Sequence, residues 1–112
     1  MNITLAKKIA EFEPTDGSWL ELESMFEDVF SSTEAKFYYV AIFNLFERFA
    51  EDDGAGVFWS AVHGMEARDD YEEELVRFFR RHPTEMTRIM LKRIRNSGAK
   101  SVAGISIDTL IS

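Results

Sequence analysis

His63 and Glu66 stand three residues apart in a stretch of helical periodicity, so imidazole and carboxylate share a face as two ligands of one metal ion would. A functional metal centre takes three or four ligands. Glu47 and Glu51 complete such a set only if a neighbouring helix brings them alongside. With two His in the whole chain, the expectation is no metal and no cofactor, with His63 hydrogen-bonded to a nearby carboxylate. Ser60 also lies three residues from His63, but no orienting acid or oxyanion hole accompanies the pair. Phosphate-binding loops, Gly-x-Ser-x-Gly and His-Glu-x-x-His are all missing. Acidic residues number 20, which makes carboxylate pairs inevitable and therefore uninformative about acid–base catalysis. The chain is expected not to be an enzyme, and no residue is assigned a catalytic role.

Recognition is the chemistry these residue types suit better. Asp52 and Asp53, then Glu66, Asp69, Asp70, Glu72, Glu73 and Glu74, crowd carboxylates around two aromatics, Trp59 and Tyr71. Charge of one sign steers an oppositely charged partner, and an aromatic supplies the buried contact that holds it. Ordinary solvated helix faces around a core tryptophan account for the same residues. Residues 1–76 carry a net charge of -13 and residues 77–100 one of +7, within a total of -7. So polarised a chain offers an acidic face to a basic partner and keeps a basic flank elsewhere. The overall sign argues against direct nucleic-acid binding.

The elements that must position these groups are helical. Phe37 to Ala50 carries two apolar stripes, Tyr38, Ile42, Leu45, Phe49 and Tyr39, Phe43, Phe46, Ala50, and so reads as a central helix covered on several sides. It is too short and too interrupted to span a bilayer. Around it the periodicity predicts helices over Ile3–Phe12, from about Trp19 to Phe30, over Val57–Arg68, from Asp70 to about His82, and from Pro83 to Asn96. Ser18–Glu21 and Ser31–Glu34 have the form of capping boxes, Asp69-Asp70 that of a helix cap, and Pro83 suits a first helical turn. Gly64, inside a helix, is expected to permit a close helix crossing, and Gly98 to be a left-handed cap. Val102–Ile111 reads as a docked terminal helix, with a small strand as the alternative. The expectation is an all-α, single-domain bundle of five to seven helices, with HEAT-like hairpin stacking left open.

Composition agrees. Of 112 residues 46% are hydrophobic, enough for a core that buries about 65% of the unfolded chain's surface. Ten Phe against two Pro and six Gly favour helices over a turn-rich sandwich. The chain has no Cys, and Glu11 and Glu13 rather than an apolar run follow Lys7 and Lys8. Both features point to a cytoplasmic location.

The run Asp52-Asp-Gly54-Ala-Gly56-Val-Phe-Trp-Ser-Ala-Val-His63-Gly64-Met-Glu66, with Tyr71-Glu-Glu-Glu-Leu-Val and the later Pro83-Thr-Glu…Leu91…Arg93-Ile-Arg-Asn96-Ser-Gly98, resembles a known family. The family is the all-helical immunity proteins of bacterial polymorphic-toxin systems, including contact-dependent growth inhibition. Its members carry an Asp-x-Gly motif, matched here by Asp52-Asp53-Gly54, and the resemblance covers about residues 30–111. It implies a cytoplasmic protein that binds the C-terminal domain of a cognate toxin, a basic nuclease or tRNase, and masks its active site or substrate groove. The toxin-binding residues would be Asp52, Asp53, Trp59, His63, Glu66, Asp69, Asp70, Tyr71 and Glu73, with no membrane contact. The alternative is a helical adaptor or scaffold that holds a partner protein in a groove.

Overall fold

The computed structural model describes residues 2–111. Seven α-helices follow in order: α1 (Ile3–Ala10), α2 (Leu20–Ser31), α3 (Tyr39–Arg48), α4 (Phe58–Arg68), α5 (Glu72–Arg81), α6 (Glu85–Asn96) and α7 (Ile107–Ile111). A 3₁₀ turn, Ala35–Tyr38, precedes α3, and a two-stranded antiparallel hairpin, β1 (Ser101–Val102) and β2 (Ile105–Ser106), precedes α7. Among the described residues the only other β contact is a single bridge between Thr15 and Ser18, and the protein is all-α.

As the double stripe requires, α3 lies at the centre: Tyr39, Ala41, Ile42, Phe43, Leu45 and Phe46 are all buried. It starts later than the stripes suggest. Ser32 Oγ accepts the Glu34 N–H at 2.9 Å, a local turn that competes with helix nucleation and leaves the next four residues in 3₁₀ form. Neither expected Ser capping box forms; Ser18 Oγ takes only the Leu20 N–H, at 3.4 Å. The reciprocal box sits on α6, where Thr84 and Thr87 exchange backbone N–H and side-chain oxygen at 3.0 and 3.1 Å. Pro83 consequently stands just before the cap, outside the first turn.

Positions paired between alternate helices rise together, so those helices run in the same direction. Between α1 and α3, the Tyr38 hydroxyl accepts the Asn2 N–H and Arg48 donates to the carbonyls of Ala10 and Phe12. Between α3 and α5, Phe43 stacks on Phe78 at 5.3 Å and Glu47 meets Arg81 at 2.7 Å. Between α2 and α4, Ser60 donates to Glu23 and Arg68 to the Phe30 carbonyl. This is the pattern of stacked helical hairpins. The α2–α4 crossing is close because of Gly64, where a Cβ would come within 2.6 Å of the Phe30 ring.

One apolar cluster runs through all seven helices and β1. Its aromatic centre is Trp19, Phe46, Phe49 and Phe58, with Phe58 lying 5.0 Å from Phe46 and 5.4 Å from Trp19 between ring centroids. Among the described residues no helix is long and apolar enough to cross a membrane.

Candidate protein-binding surface

The approach to α4 is a tight turn built by Asp52 and Asp53. Asp52 Oδ1 accepts the Gly54 N–H at 2.9 Å, and the Asp53 carbonyl accepts from both Gly56 and Phe58, each at 3.1 Å. That turn points Phe58, Ala61, Val62 and Met65 into the core. Trp59, His63 and Glu66 are left on the outer side, His63 and Glu66 on the shared face that their spacing predicts. The helix ends at Asp69, which adopts the left-handed conformation at φ 56° and donates its N–H to Met65. Asp69-Asp70 therefore terminates α4. It does not cap α5, whose N-cap, Tyr71, has no side-chain hydrogen bond.

Arg93 of α6 organises the patch on α4. Its guanidinium donates to both oxygens of Glu66, from Nε at 2.8 Å and Nη2 at 2.9 Å, and lies 5.4 Å from the centre of the Trp59 ring. The bond from Arg93 holds the Glu66 carboxyl below its ordinary range, against the opposing effect of burial. Trp59 and His63 lie 5.7 Å apart between centroids, and His63 Nδ1 is 3.7 Å from Glu66. His63 itself is exposed. Glu66 thus already has a cationic partner, so its pull on an incoming base is weaker than its formal charge suggests. No set of three or more His, Asp or Glu side chains among the described residues could hold a metal ion.

Beyond the end of α4, Asp69, Asp70, Glu72 and Glu73 surround a hollow of about 310 Å³ with Lys36 at its edge. Asp70 also supports the fold, since its Oδ1 accepts a hydrogen bond at 2.5 Å from the hydroxyl of Tyr39, a fully buried side chain. Glu66, Tyr71 and Arg93 line a separate hollow of about 500 Å³. Asp52 lines a third, of about 720 Å³, with Glu51, His82, Glu85, Arg88 and Lys92. The structure therefore brings Trp59, His63, Glu66 and Tyr71 together around Arg93, and Asp69, Asp70 and Glu73 together next to them. Asp52 and Asp53 stand at the other end of α4.

Tyr71 carries a titration signature. Burial first, then the Glu66 carboxylate, pushes its hydroxyl up to about 12, and burial followed by the bond to Asp70 raises that of Tyr39. Both groups are neutral in folded and unfolded chains below pH ~10. Above that pH only the unfolded chain releases their protons, so stability falls as pH rises from about 10 to 12, by on the order of 1 kcal/mol per unit for each tyrosine. Urea unfolding at pH 9 and 11 should show the fall, and Tyr71→Phe should flatten part of it. An unchanged slope in that variant would show that Tyr71 is not the group responsible.

Two cations beside these acids have no local signal in the sequence. Arg93 falls beside the basic stripe Arg88, Lys92, Arg95, and nothing local marks it as the residue that reaches Glu66 and Trp59 across to α4. Lys36 likewise joins the acidic corner only through tertiary packing. Compared with known proteins, the chain matches no family model, no curated protein and no solved structure.

Proposed function

We propose that the chain is an immunity protein, one that acts by binding and masks the active site or substrate groove of a basic toxin domain, a nuclease by the sign of its charge. The observation that supports this reading is the placement of α4. The helix presents half-buried Trp59 and exposed His63, with Asp52 and Asp53 before it and Asp69 to Glu73 after it. Its 11 residues span about 16 Å. A standard interface of about 800 Å² per partner is roughly 30 Å across, wide enough to reach both ends of α4. Charge pairs at such an interface act mainly on encounter rate and specificity, and the aromatic adds the buried contact. In the same reading the protein works in the cytoplasm, where it meets the toxin without touching nucleic acid.

The test is co-expression with the toxin domain encoded beside it, scored by growth rescue and by affinity of the purified pair. Asp53→Lys with Glu73→Lys is the informative double reversal, because neither carboxylate has a partner within the described fold. Affinity should fall about tenfold or more at low salt, and the loss should shrink as salt is raised. A neighbouring toxin that is neither bound nor neutralised by the wild-type chain rejects the reading outright. Tight binding unaffected by the reversal rejects this surface.

A further inference from the structure

On the far side of the acidic corner, α5 and the β-hairpin enclose a groove of about 520 Å³ lined by Glu73, Val76, Arg77, Arg80, Arg81, Ala103 and Ile105. Its floor is apolar, from Val76, Ala103 and Ile105, and its rim is cationic. The three arginines differ in how far they are already engaged. Arg81 pairs with Glu47 at 2.7 Å and lies 4.5 Å over the Phe78 ring. Arg77 rests on the same ring at 5.4 Å, which holds its guanidinium in place but leaves its hydrogen-bond donors open. No carboxylate among the described residues pairs with Arg77 or Arg80.

In a chain with 20 acids and 13 bases, two unpaired arginines beside an apolar floor are a local excess of the scarcer charge. The floor matters as much as the charge. Apolar lining thins the water around the rim, and a carboxylate–guanidinium pair strengthens as local water is excluded. The hairpin wall is a tight two-residue turn, Ala103-Gly104, with positive φ at both positions. Ala103 is held at φ 49°, a left-handed conformation costly for any residue with a Cβ, where glycine would fit without strain. Ala103 lines the groove.

We propose that this groove docks an acidic peptide segment of a partner protein, one whose carboxylates meet Arg77 and Arg80 while an adjacent apolar side chain lies on Val76 and Ile105. Arg77 and Arg80 are three residues apart on one helix, on neighbouring positions of its surface. Two spaced cations match two carboxylates along a peptide better than the single head of a fatty acid. Glu73 closes one end and repels acid there, so the segment's charges lie toward Arg77 and Arg80. The groove adjoins the acidic corner beyond α4 and shares Glu73 with it, but its cations are Arg77 and Arg80, so the proposal does not depend on what binds at α4.

The test uses the full chain and a fluorescein-labelled octapeptide in which Asp and Glu flank a central Leu-Leu pair, read by fluorescence anisotropy. Saturable binding at low salt is expected. Arg77→Ser with Arg80→Ser should weaken it about tenfold, which corresponds to about 1.4 kcal/mol. Arg80→Ser alone, which removes no hydrogen bond or ion pair among the described residues and so poses little risk to folding, should weaken it about threefold, half of that free energy. Replacing the peptide's acids by their amides, or its leucines by serine, should cost at least as much as the double variant. Equal binding by wild type and the double variant overturns the proposal, as does equal binding of the amide peptide. So does a result in which the arginines prove necessary only for phosphatidylglycerol vesicles, or only for concentration-dependent self-association of the chain.

Discussion

Replacing Phe58 by alanine is expected to cost about 3–5 kcal/mol, a large part of the 5–15 kcal/mol that holds a typical domain folded. Phe58 is fully buried, and its ring is in reach of Trp19 from the α2 approach, Phe46 on α3 and Phe49 at the end of α3. Two of those contacts are strongly inclined, at 87° to Trp19 and 60° to Phe49, and the former is the edge-to-face arrangement aromatic rings prefer. Truncation loses the transfer free energy of the ring and leaves a hole whose walls belong to two different segments, the α2 approach and α3, so no single helix can shift to fill it. Phe58→Leu keeps most of the volume and should cost roughly 1–1.5 kcal/mol. Phe37→Ala is the control: the residue is 38% exposed and, among the described rings, its own meets only that of Tyr38, edge-on, so the loss should stay below about 1 kcal/mol. Urea unfolding of the three variants checks the ranking. A Phe58→Ala loss no larger than that of Phe37→Ala would mean that these rings do not form the structural centre.

The double stripe of α3 was readable because burial on several sides leaves its mark on one continuous segment. Gly64 was readable for a related reason. A glycine inside a good helix costs about 1 kcal/mol relative to alanine, and that cost calls for a compensating contact, found here in the Phe30 ring. The start of α3 was harder, since Ser31–Glu34 fits a capping pattern while Ser32 offers the backbone a competing local bond. On α6 the pattern hid the opposite way: Thr87 does the work of the usual Glu or Gln, so the true box went unnoticed. The acids from Glu66 to Glu73 could be grouped by sequence because they are neighbours along the chain. The cations near them could not, because Arg93, which pairs with Glu66, and Lys36, which lines the same hollow as Asp69 and Asp70, arrive from α6 and from the turn before α3, in registers that only the packed helices define. For the same reason the formal charge of the 1–76 segment overstates what a partner meets: Glu47 and Glu66 are answered by arginines of the basic segment.

Gly54→Ala should cost about 2–4 kcal/mol, and its mechanism bears on what the Asp52-Asp53-Gly54 tripeptide is for. Gly54 is buried with φ at +60°, and a Cβ there would lie 2.7 Å from two atoms of the Phe58 ring and 3.3 Å from Trp19. The left-handed backbone costs an alanine about 1–2 kcal/mol, and crowding a fixed ring about 1–3 more. Restricting the unfolded chain returns up to about 1 kcal/mol. Gly56→Ala isolates the backbone contribution, since Gly56 also has positive φ, at +89°, but nothing lies within 4 Å of its Cβ position. The difference between the two variants measures the clash, and adding Phe58→Leu to Gly54→Ala should recover part of it, a coupling of about 1 kcal/mol in a double-mutant cycle. On this account the tripeptide is a turn that seats Phe58: Asp52 fastens it through the Gly54 N–H, and only the outward carboxylate of Asp53 is left for a partner. Asp53→Lys should then alter binding and leave stability within about 0.5 kcal/mol, while Gly54→Ala does the reverse. If Gly54→Ala instead unfolds at the wild-type urea concentration but no longer binds, the glycine serves close approach by the partner, and the turn is part of the interface itself.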